Sequence, residues 1–192
     1  MHLFHERGFD GVGVDLIGER AGVSGPAIYR YFSGKDEILV TLLDEAIDRV
    51  LMSTGGRFDD PREELEHLVR GHVQRALEER ELMSVWTKER NKIPKPYRSR
   101  LRSRITRYID RWADCLVLCY PGQPRDVLVA AIHATHGLID STAFWPSQAL
   151  RVAGLEDILT GMALASLENF GNGAQRPKAK VTRQKVVKDR SA

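Results

Sequence analysis

The amino-acid sequence predicts an all-α fold. Apolar residues recur at intervals of three and four along most of the chain, the spacing that places them on one face of a helix. No segment shows the sustained alternation of apolar and polar residues that is typical of a half-buried strand. With 192 residues, 42% of them hydrophobic, the chain is long enough for one sizeable core or for a small domain joined to a medium one.

Six longer helices are expected after residue 34, separated by glycine- and proline-containing loops. The first is capped by Ser33 or Gly34 and ends before Gly55-Gly56, and the second follows Pro61 with acidic residues in its first turns. The fourth is the longest and carries a row of arginines on one face. The expected bounds are 36–51, 62–77, 81–90, 97–119, 126–144 and 155–170.

The first 34 residues consist of short helical pieces separated by glycines, and two of these pieces predict a helix-turn-helix. Residues 14–21 form its first helix, and Gly22-Val23-Ser24 supplies the turn. Gly22 provides a left-handed backbone position, Val23 is expected to be buried, and Ser24 is expected to cap the second helix. Pro26 suits the first turn of that helix. The second helix of such a motif enters a DNA major groove.

The outward side of the second helix contains the residues that we expect to contact double-stranded DNA. Gly25 and Ala27 are small enough for close approach, and the Ala27 methyl can touch a thymine methyl. Tyrosine and lysine side chains there can reach phosphates, and Arg30 can reach a phosphate or a guanine edge. The candidate DNA-binding residues are Ser24, Gly25, Ala27, Tyr29, Arg30, Tyr31 and Lys35.

Residues 3–42, and most clearly the run from Gly8-Phe9 through Val14 to Leu39, closely resemble the DNA-binding signature of the TetR family of bacterial transcriptional regulators. The resemblance implies that Tyr29 anchors to the DNA backbone and that Lys35 binds a phosphate. It also implies a homodimer, a palindromic operator, and a helical ligand-binding and dimerisation domain after the DNA-binding head. The expected function is a repressor that releases its operator when it binds a small hydrophobic or acyl effector.

The sequence departs from the family pattern at three positions and at the first helix. Gly25 and Ala27 stand where many members have polar residues, and Gly13 stands where Ser or Thr commonly caps the first motif helix. Because the family's first helix begins further upstream, we expect the natural start to precede Met1. The alternative is a ligand-binding helical dimer whose DNA binding is impaired by a shortened first helix.

Aromatic and polar residues on the later helices are candidates for the effector site. Aromatic residues at helical spacing are more often core residues, and His72 is expected to be a hydrogen-bonded core histidine. The arginine row is most often a solvated face, with contact to an anionic effector such as an acyl-CoA as the alternative. The candidate ligand-binding residues are His72, Trp86, Arg90, Tyr108, Trp112, His133 and Phe144.

The last two helices are expected to form the dimer interface, because small and apolar residues there permit close packing of helices. The alternative is that the same residues close the core of the monomer. The candidate interface residues are Ala134, Gly137, Leu138, Ser141, Leu155, Leu159, Met162 and Leu167.

Charge and composition exclude several other classes of protein. The formal net charge is +3, of which residues 171–192 contribute +6 and the remainder −3, so DNA binding by the body must rest on a local site. Cys115 and Cys119 are expected to be core residues, and we expect no metal site, no cofactor, no enzyme activity, no membrane span and a cytoplasmic location. The expected domains are a DNA-binding head over 1–34 with a connecting helix over 35–53, a ligand-binding and dimerisation domain over 54–170, and a disordered basic tail over 171–192.

Overall fold

The computed structural model describes residues 1–90 and 93–171, and within these ranges the chain is helical with no strand, as predicted. The expected basic tail lies outside the described residues except for Gly171, at the end of the last helix. The helices are α1 (His2–Arg7), α2 (Val14–Ala21), α3 (Gly25–Ile28), α4 (Lys35–Ser53), α5 (Pro61–Glu78), α6 (Arg80–Glu89), α7 (Lys95–Cys119), α8 (Arg125–Asp140) and α9 (Leu155–Gly171). Two 3₁₀ turns, Ser141–Phe144 and Ala149–Arg151, connect α8 to α9.

Most helix ends lie within about two residues of their predicted positions because the capping residues are local. Asp60 caps α5 by accepting the Arg62 N–H at 2.8 Å. Gly34 is the N-cap residue of α4, while the N–H and hydroxyl of Ser33 both donate to Glu37 Oε2, at 2.6 and 2.7 Å. These bonds, the backbone one first, lower the pKa of Glu37.

The helix predicted over 126–144 changes character at its end. The α-helix stops at Asp140, and Ser141–Phe144 form a 3₁₀ turn. The Ser141 hydroxyl donates to Leu138 O at 2.7 Å, and the Thr142 hydroxyl donates to Ile139 O at 2.8 Å. Because side chains satisfy these carbonyls, the last turn tightens without leaving them unpaired.

Two hydrophobic cores hold the molecule together. One lies among α5, α7, α8 and α9 and contains Leu68, Trp112 and Ile132, all fully buried. The other joins the N-terminal head to α4, α6 and the start of α7, where Val12 and Val85 are each 1% exposed. The head therefore shares its core with α6, an element that the sequence places in the following domain.

Residues 125–144 form one stretch that is long and apolar enough for a membrane span, although the sequence was expected to contain none. The same stretch buries Leu128, Ile132 and Ile139 in the core and packs against α5, α7 and α9. We interpret it as a core helix.

Candidate nucleic-acid interface and ligand cavity

The turn between α2 and α3 is closed by backbone contacts. Gly22 has φ 72°, the left-handed conformation predicted for it, and the Val23 N–H donates to Gly18 O at 2.9 Å. A Cβ on Gly18 would lie 2.8 Å from Val23 O, so only glycine allows this approach. Because the backbone closes the turn, the Val23 side chain points outward and is 45% exposed, and its expected burial is wrong.

Helix α3 is shorter than the expected recognition helix. It ends at Ile28, and residues 29–31 continue as turns. Ser24 is its N-cap residue, but the Ser24 side chain makes no capping hydrogen bond, so that expectation is also wrong. Its carbonyl instead accepts the N–H groups of Ala27 and Ile28, at 2.9 and 3.3 Å, while the residue itself is exposed.

One side of the helix-turn-helix presents donor-bearing side chains to solvent. Tyr29 and Tyr31 are 57% and 79% exposed, and Arg30 between them is exposed as well. Gly25 and Ala27 beside them are half-buried, which leaves the backbone of α3 close to the surface. Ile28 is 7% exposed and fastens this segment to the core of the head. The arrangement can contact phosphates through hydroxyl and guanidinium groups and base edges at close range.

Lys35 is engaged inside the head. Its Nζ donates to Phe9 O at 2.9 Å and to Val12 O at 3.1 Å, and it lies 4.5 Å from the centre of the Phe9 ring. These contacts fasten the loop between α1 and α2 to the start of α4. An ammonium group has three donors, so one remains for the phosphate contact that the sequence predicts.

Contacts with α6 hold the head in place. The Phe9 N–H donates to Glu89 Oε1 at 3.2 Å, and Glu89 is 6% exposed. His2 Nδ1 lies 2.9 Å from Glu81 Oε1, and the Phe4 and Phe9 rings stack with their centres 5.8 Å apart. Any displacement of α6 therefore acts on the N-terminal head directly.

A cavity of about 150 Å³ lies on the other side of α6. Helices α4 to α8 all contribute to its walls, which are mainly apolar. The lining residues are Leu43, Ala46, Ile47, Val50, His72, Arg75, Ala76, Glu79, Leu82, Met83, Trp86, Ile105, Tyr108, Ile109, His136 and Asp140.

A stack of aromatic and imidazole rings forms the polar part of this cavity. His72 Nδ1 lies 3.0 Å from the Tyr108 hydroxyl, and His72 Nε2 lies 3.1 Å from Asp140 Oδ1, which confirms His72 as a hydrogen-bonded core histidine. His136 stacks on His72 with ring centres 4.1 Å apart, and its Nε2 is buried with no hydrogen-bond partner among the described residues. Burial first, and then the neighbouring His72 and His133, hold the pKa of His136 well below its usual value. Burial likewise raises the pKa of Tyr108.

The N-terminal part of this helical chain matches a known family. Residues 1–42 match the model described as bacterial regulatory proteins, tetR family. Over this N-terminal segment the chain is similar to the tetR family. It is also 39% identical over 49 residues to the HTH-type transcriptional activator FasR of Mycolicibacterium smegmatis, a match that spans 26% of this chain and 22% of that relative.

Solved structures resemble this chain over most of its length. The regulator PfmR from Thermus thermophilus has a TM-score of 0.75 at 16% identity and covers 87% of this chain and 93% of its own. The ketosteroid transcriptional regulator KstR2 of Mycobacterium tuberculosis has a TM-score of 0.73 at 18% identity and covers 88% of this chain and 89% of its own. AibR, solved in complex with isovaleryl coenzyme A and operator DNA, has a TM-score of 0.70 at 14% identity and covers 84% of this chain and 90% of its own. At these identities the likeness shows the fold.

The predicted ligand residues separate into three groups. His72, Trp86 and Tyr108 line the cavity, while Arg90 and His133 line a neighbouring groove, to which Trp86 also contributes. Trp112 and Phe144 are not among the described residues that line the cavity or the groove. Trp112 is fully buried behind His136, with ring centres 4.7 Å apart, because its large ring fills the core. Phe144 is 53% exposed on the outer surface, where the 3₁₀ turn carries it away from the cavity.

Sequence reasoning missed His136 and Asp140 as cavity residues. Ile132, His136 and Asp140 are four residues apart, which places them on one face of α8, and Ile132 is fully buried. That spacing is the signal that could have found them.

The residues predicted for the dimer interface fall into a buried group and an accessible group. Leu159 and Leu167 are 1% and 2% exposed within the monomer, so they close its own core, which is the alternative stated for them. They lie on the face of α9 that packs against α5 and α8. The rest of the set is accessible, with Ala134, Gly137 and Met162 exposed and Leu138, Ser141 and Leu155 half-buried.

Further residues widen this accessible face. Ile158 is 47% exposed on α9, and a Cβ added to Gly137 or Gly161 would meet no atom of the described residues within 4 Å. Small and apolar residues of α8 and α9 thus leave an open helical surface, which we call the α8/α9 face. It consists of Ala134, Gly137, Ser141, Leu155, Ile158, Gly161 and Met162.

Proposed function

We propose that this protein is a transcriptional regulator of the tetR family, a cytoplasmic, homodimeric repressor that releases a palindromic operator when a small hydrophobic or acyl effector enters the cavity. The observation that carries the proposal is the position of α6. One part of this helix supplies Leu82, Met83 and Trp86 to the cavity, and its end holds the head through Glu89. A ligand and an operator are thereby linked through a single element.

DNA recognition is assigned to the exposed segment from Ser24 to Tyr31, together with Lys35. Residues 1–35 contain four basic and four acidic side chains, so long-range attraction of the head to DNA is weak. Affinity must therefore come from local contacts. Tyr29 and Tyr31 position the head on phosphates, Arg30 reaches a phosphate or a guanine, and Ala27 contacts thymine methyl groups.

Dimerisation is assigned to the α8/α9 face. Two copies of this helix pair form a four-helix interface around a two-fold axis. We call the residues from Ser24 to Tyr31 the recognition segment. In such a dimer the two recognition segments face half-sites that lie one helical turn apart, about 34 Å. A small change in their separation misaligns both heads at once, and a coupling of about 1–3 kcal/mol lowers DNA affinity 5- to 150-fold.

The effector class is supported by the cavity and by a relative. The cavity walls are mainly apolar, which suits a hydrophobic group. The structural neighbour AibR was solved with isovaleryl coenzyme A and operator DNA together. An acyl effector is thus compatible with this fold.

Selection of binding sites from a random duplex library tests the proposed function. The wild-type protein is expected to enrich sequences with two inverted half-sites. Tyr29→Ala is expected to abolish this enrichment, whereas Val23→Ala, which changes an exposed residue in the neighbouring turn, is expected to preserve it. Failure to enrich any sequence, or enrichment that Tyr29→Ala leaves intact, would overturn the assignment of the interface.

A further inference from the structure

A groove of about 630 Å³ adjoins the cavity. It lies among the end of α6, the first half of α7 and α8. Trp86, Ile105 and Ile109 line both the groove and the cavity, so the two spaces meet along the same side chains. A ligand that occupies both would pass these three residues.

The groove carries positive charge. Arg90, Arg98 and Arg102 line it, against the carboxylate of Asp110. Asp110 is paired with Arg125 at 3.0 Å, which offsets its charge. Arg98 donates through Nε and Nη2 to Ile93 O, at 3.2 and 2.8 Å, and these bonds hold its guanidinium at the groove. Guanidinium groups that surround an apolar floor suit a ligand with phosphates.

The cavity has the opposite charge balance. Glu79 and Asp140 line it, and the one cationic side chain in its lining, Arg75, already pairs with Glu78 and Glu79. His136 is neutral at physiological pH because burial lowers its pKa. A carboxylate attached directly to the buried group would thus meet acidic side chains. The favoured ligand has an uncharged link at the cavity and its anionic groups some distance away.

The size of the cavity limits the buried group. A cavity of about 150 Å³ holds a molecule the size of benzene, whereas drug-sized ligands need about 300–1,000 Å³. A single ring or a short branched chain fits, and a long fatty chain does not.

We propose that the effector is a thioester of coenzyme A with a compact acyl group. The acyl group occupies the cavity, the uncharged thioester passes Trp86, and the phosphates bind Arg90, Arg98 and Arg102. The inference rests on the proposed function, because it names the ligand of the same regulatory site.

Calorimetric titration of the full-length, DNA-free protein tests this inference with benzoyl-CoA and isobutyryl-CoA as probes. Both are expected to bind about tenfold or more tightly than coenzyme A alone, free benzoate or palmitoyl-CoA. Arg90→Ala and Arg102→Ala are each expected to weaken thioester binding by about tenfold. Arg107→Ala on the same helix, which lies outside the groove, is the matched control and is expected to bind normally. Ala46→Leu, which reduces the cavity, should remove the preference for the thioester over coenzyme A.

Two results would overturn the inference. One is binding of free benzoate as tight as that of benzoyl-CoA, and the other is thioester binding that neither arginine variant changes. Absence of thioester binding by a protein that still selects an operator would reject the ligand and keep the regulator. Tight thioester binding without any operator selection would reject the regulator and keep the ligand.

Discussion

Gly18 shows at the scale of one residue how the recognition segment is held. Alanine is favoured over glycine in a helix by about 1 kcal/mol. At Gly18, however, the added Cβ would lie 2.8 Å from Val23 O and 3.3 Å from Ile28 Cδ1. Contact with a backbone oxygen cannot be relieved by rotating a side chain.

Gly18→Ala is therefore expected to lower the free energy of unfolding by about 1–3 kcal/mol. Urea denaturation measures the change. Gly13→Ala is the control, because a Cβ there would meet no atom of the described residues within 4 Å; since Gly13 is the N-cap residue of α2, this variant should lose no more than the roughly 1 kcal/mol that separates glycine from alanine at that position. An unchanged or raised stability of the Gly18→Ala variant would contradict the backbone contact.

His136 makes stability depend on pH. Its folded-state pKa is depressed by burial, whereas in the unfolded chain it is about 6.5. Below that pH the unfolded state binds a proton that the folded state does not, so stability falls as the pH falls.

Relative to His136→Phe, the wild-type protein is expected to lose up to about 1.4 kcal/mol of stability per pH unit below 6.5. Denaturation of both proteins between pH 7.5 and 5 measures the difference. The stacked His72 and the carboxylates are present in both, so their contributions cancel to first order. Parallel curves would show that His136 does not titrate in this way.

At the scale of elements, α6 links the cavity to the head. Glu89 accepts the Phe9 N–H at 3.2 Å, and Trp86, one turn earlier, lines the cavity. Glu89→Ala removes the acceptor, whereas Glu89→Gln keeps an oxygen at the same place.

In the wild-type protein the effector is expected to lower DNA affinity about 5- to 150-fold. Glu89→Ala is expected to bring this factor close to one, whereas Glu89→Gln is expected to retain most of it. DNA affinity measured with and without saturating effector gives this factor for each variant. Effector binding to the DNA-free variants serves as the control and is expected to change little. Equal factors for wild type and Glu89→Ala would exclude this contact from the coupling.

The sequence predicted the helices well because their signals are local. Gly22 has the left-handed conformation predicted for it, and α5 begins at Pro61, one residue before its predicted start. The contacts of Lys35 were not predictable in this way, since its acceptors, Phe9 O and Val12 O, lie more than 20 residues away.

For the same reason, the sequence predicted the exposed residues of the candidate site better than the buried ones. Exposure of Tyr29 and Tyr31 follows from the local helical pattern. Burial of Trp112 and Leu159 depends instead on which face of each helix packs against the other helices. The sequence pattern does not distinguish an apolar residue of the core from one that lines a cavity or an interface.

For the whole molecule, the α8/α9 face predicts a dimer. Met162 is 52% exposed at this face, whereas Leu118 is 64% exposed near the end of α7 and outside it. Met162→Lys is expected to shift the protein from dimer to monomer, because two lysines would be buried around the two-fold axis. Leu118→Lys, the matched control, is expected to remain dimeric. Sedimentation velocity distinguishes the states, and monomerisation by Leu118→Lys alone would place the interface elsewhere.

The proposed function requires that two copies of the recognition segment bind one operator, and anisotropy titration of a selected duplex measures this binding. Wild-type protein and Val23→Ala are expected to bind alike. Tyr29→Ala, Arg30→Ala and insertion of five base pairs between the half-sites should each weaken binding by about tenfold or more, since each removes contacts or turns one half-site to the opposite side of the duplex. Equal affinity for the selected, the lengthened and a random duplex would contradict the claim.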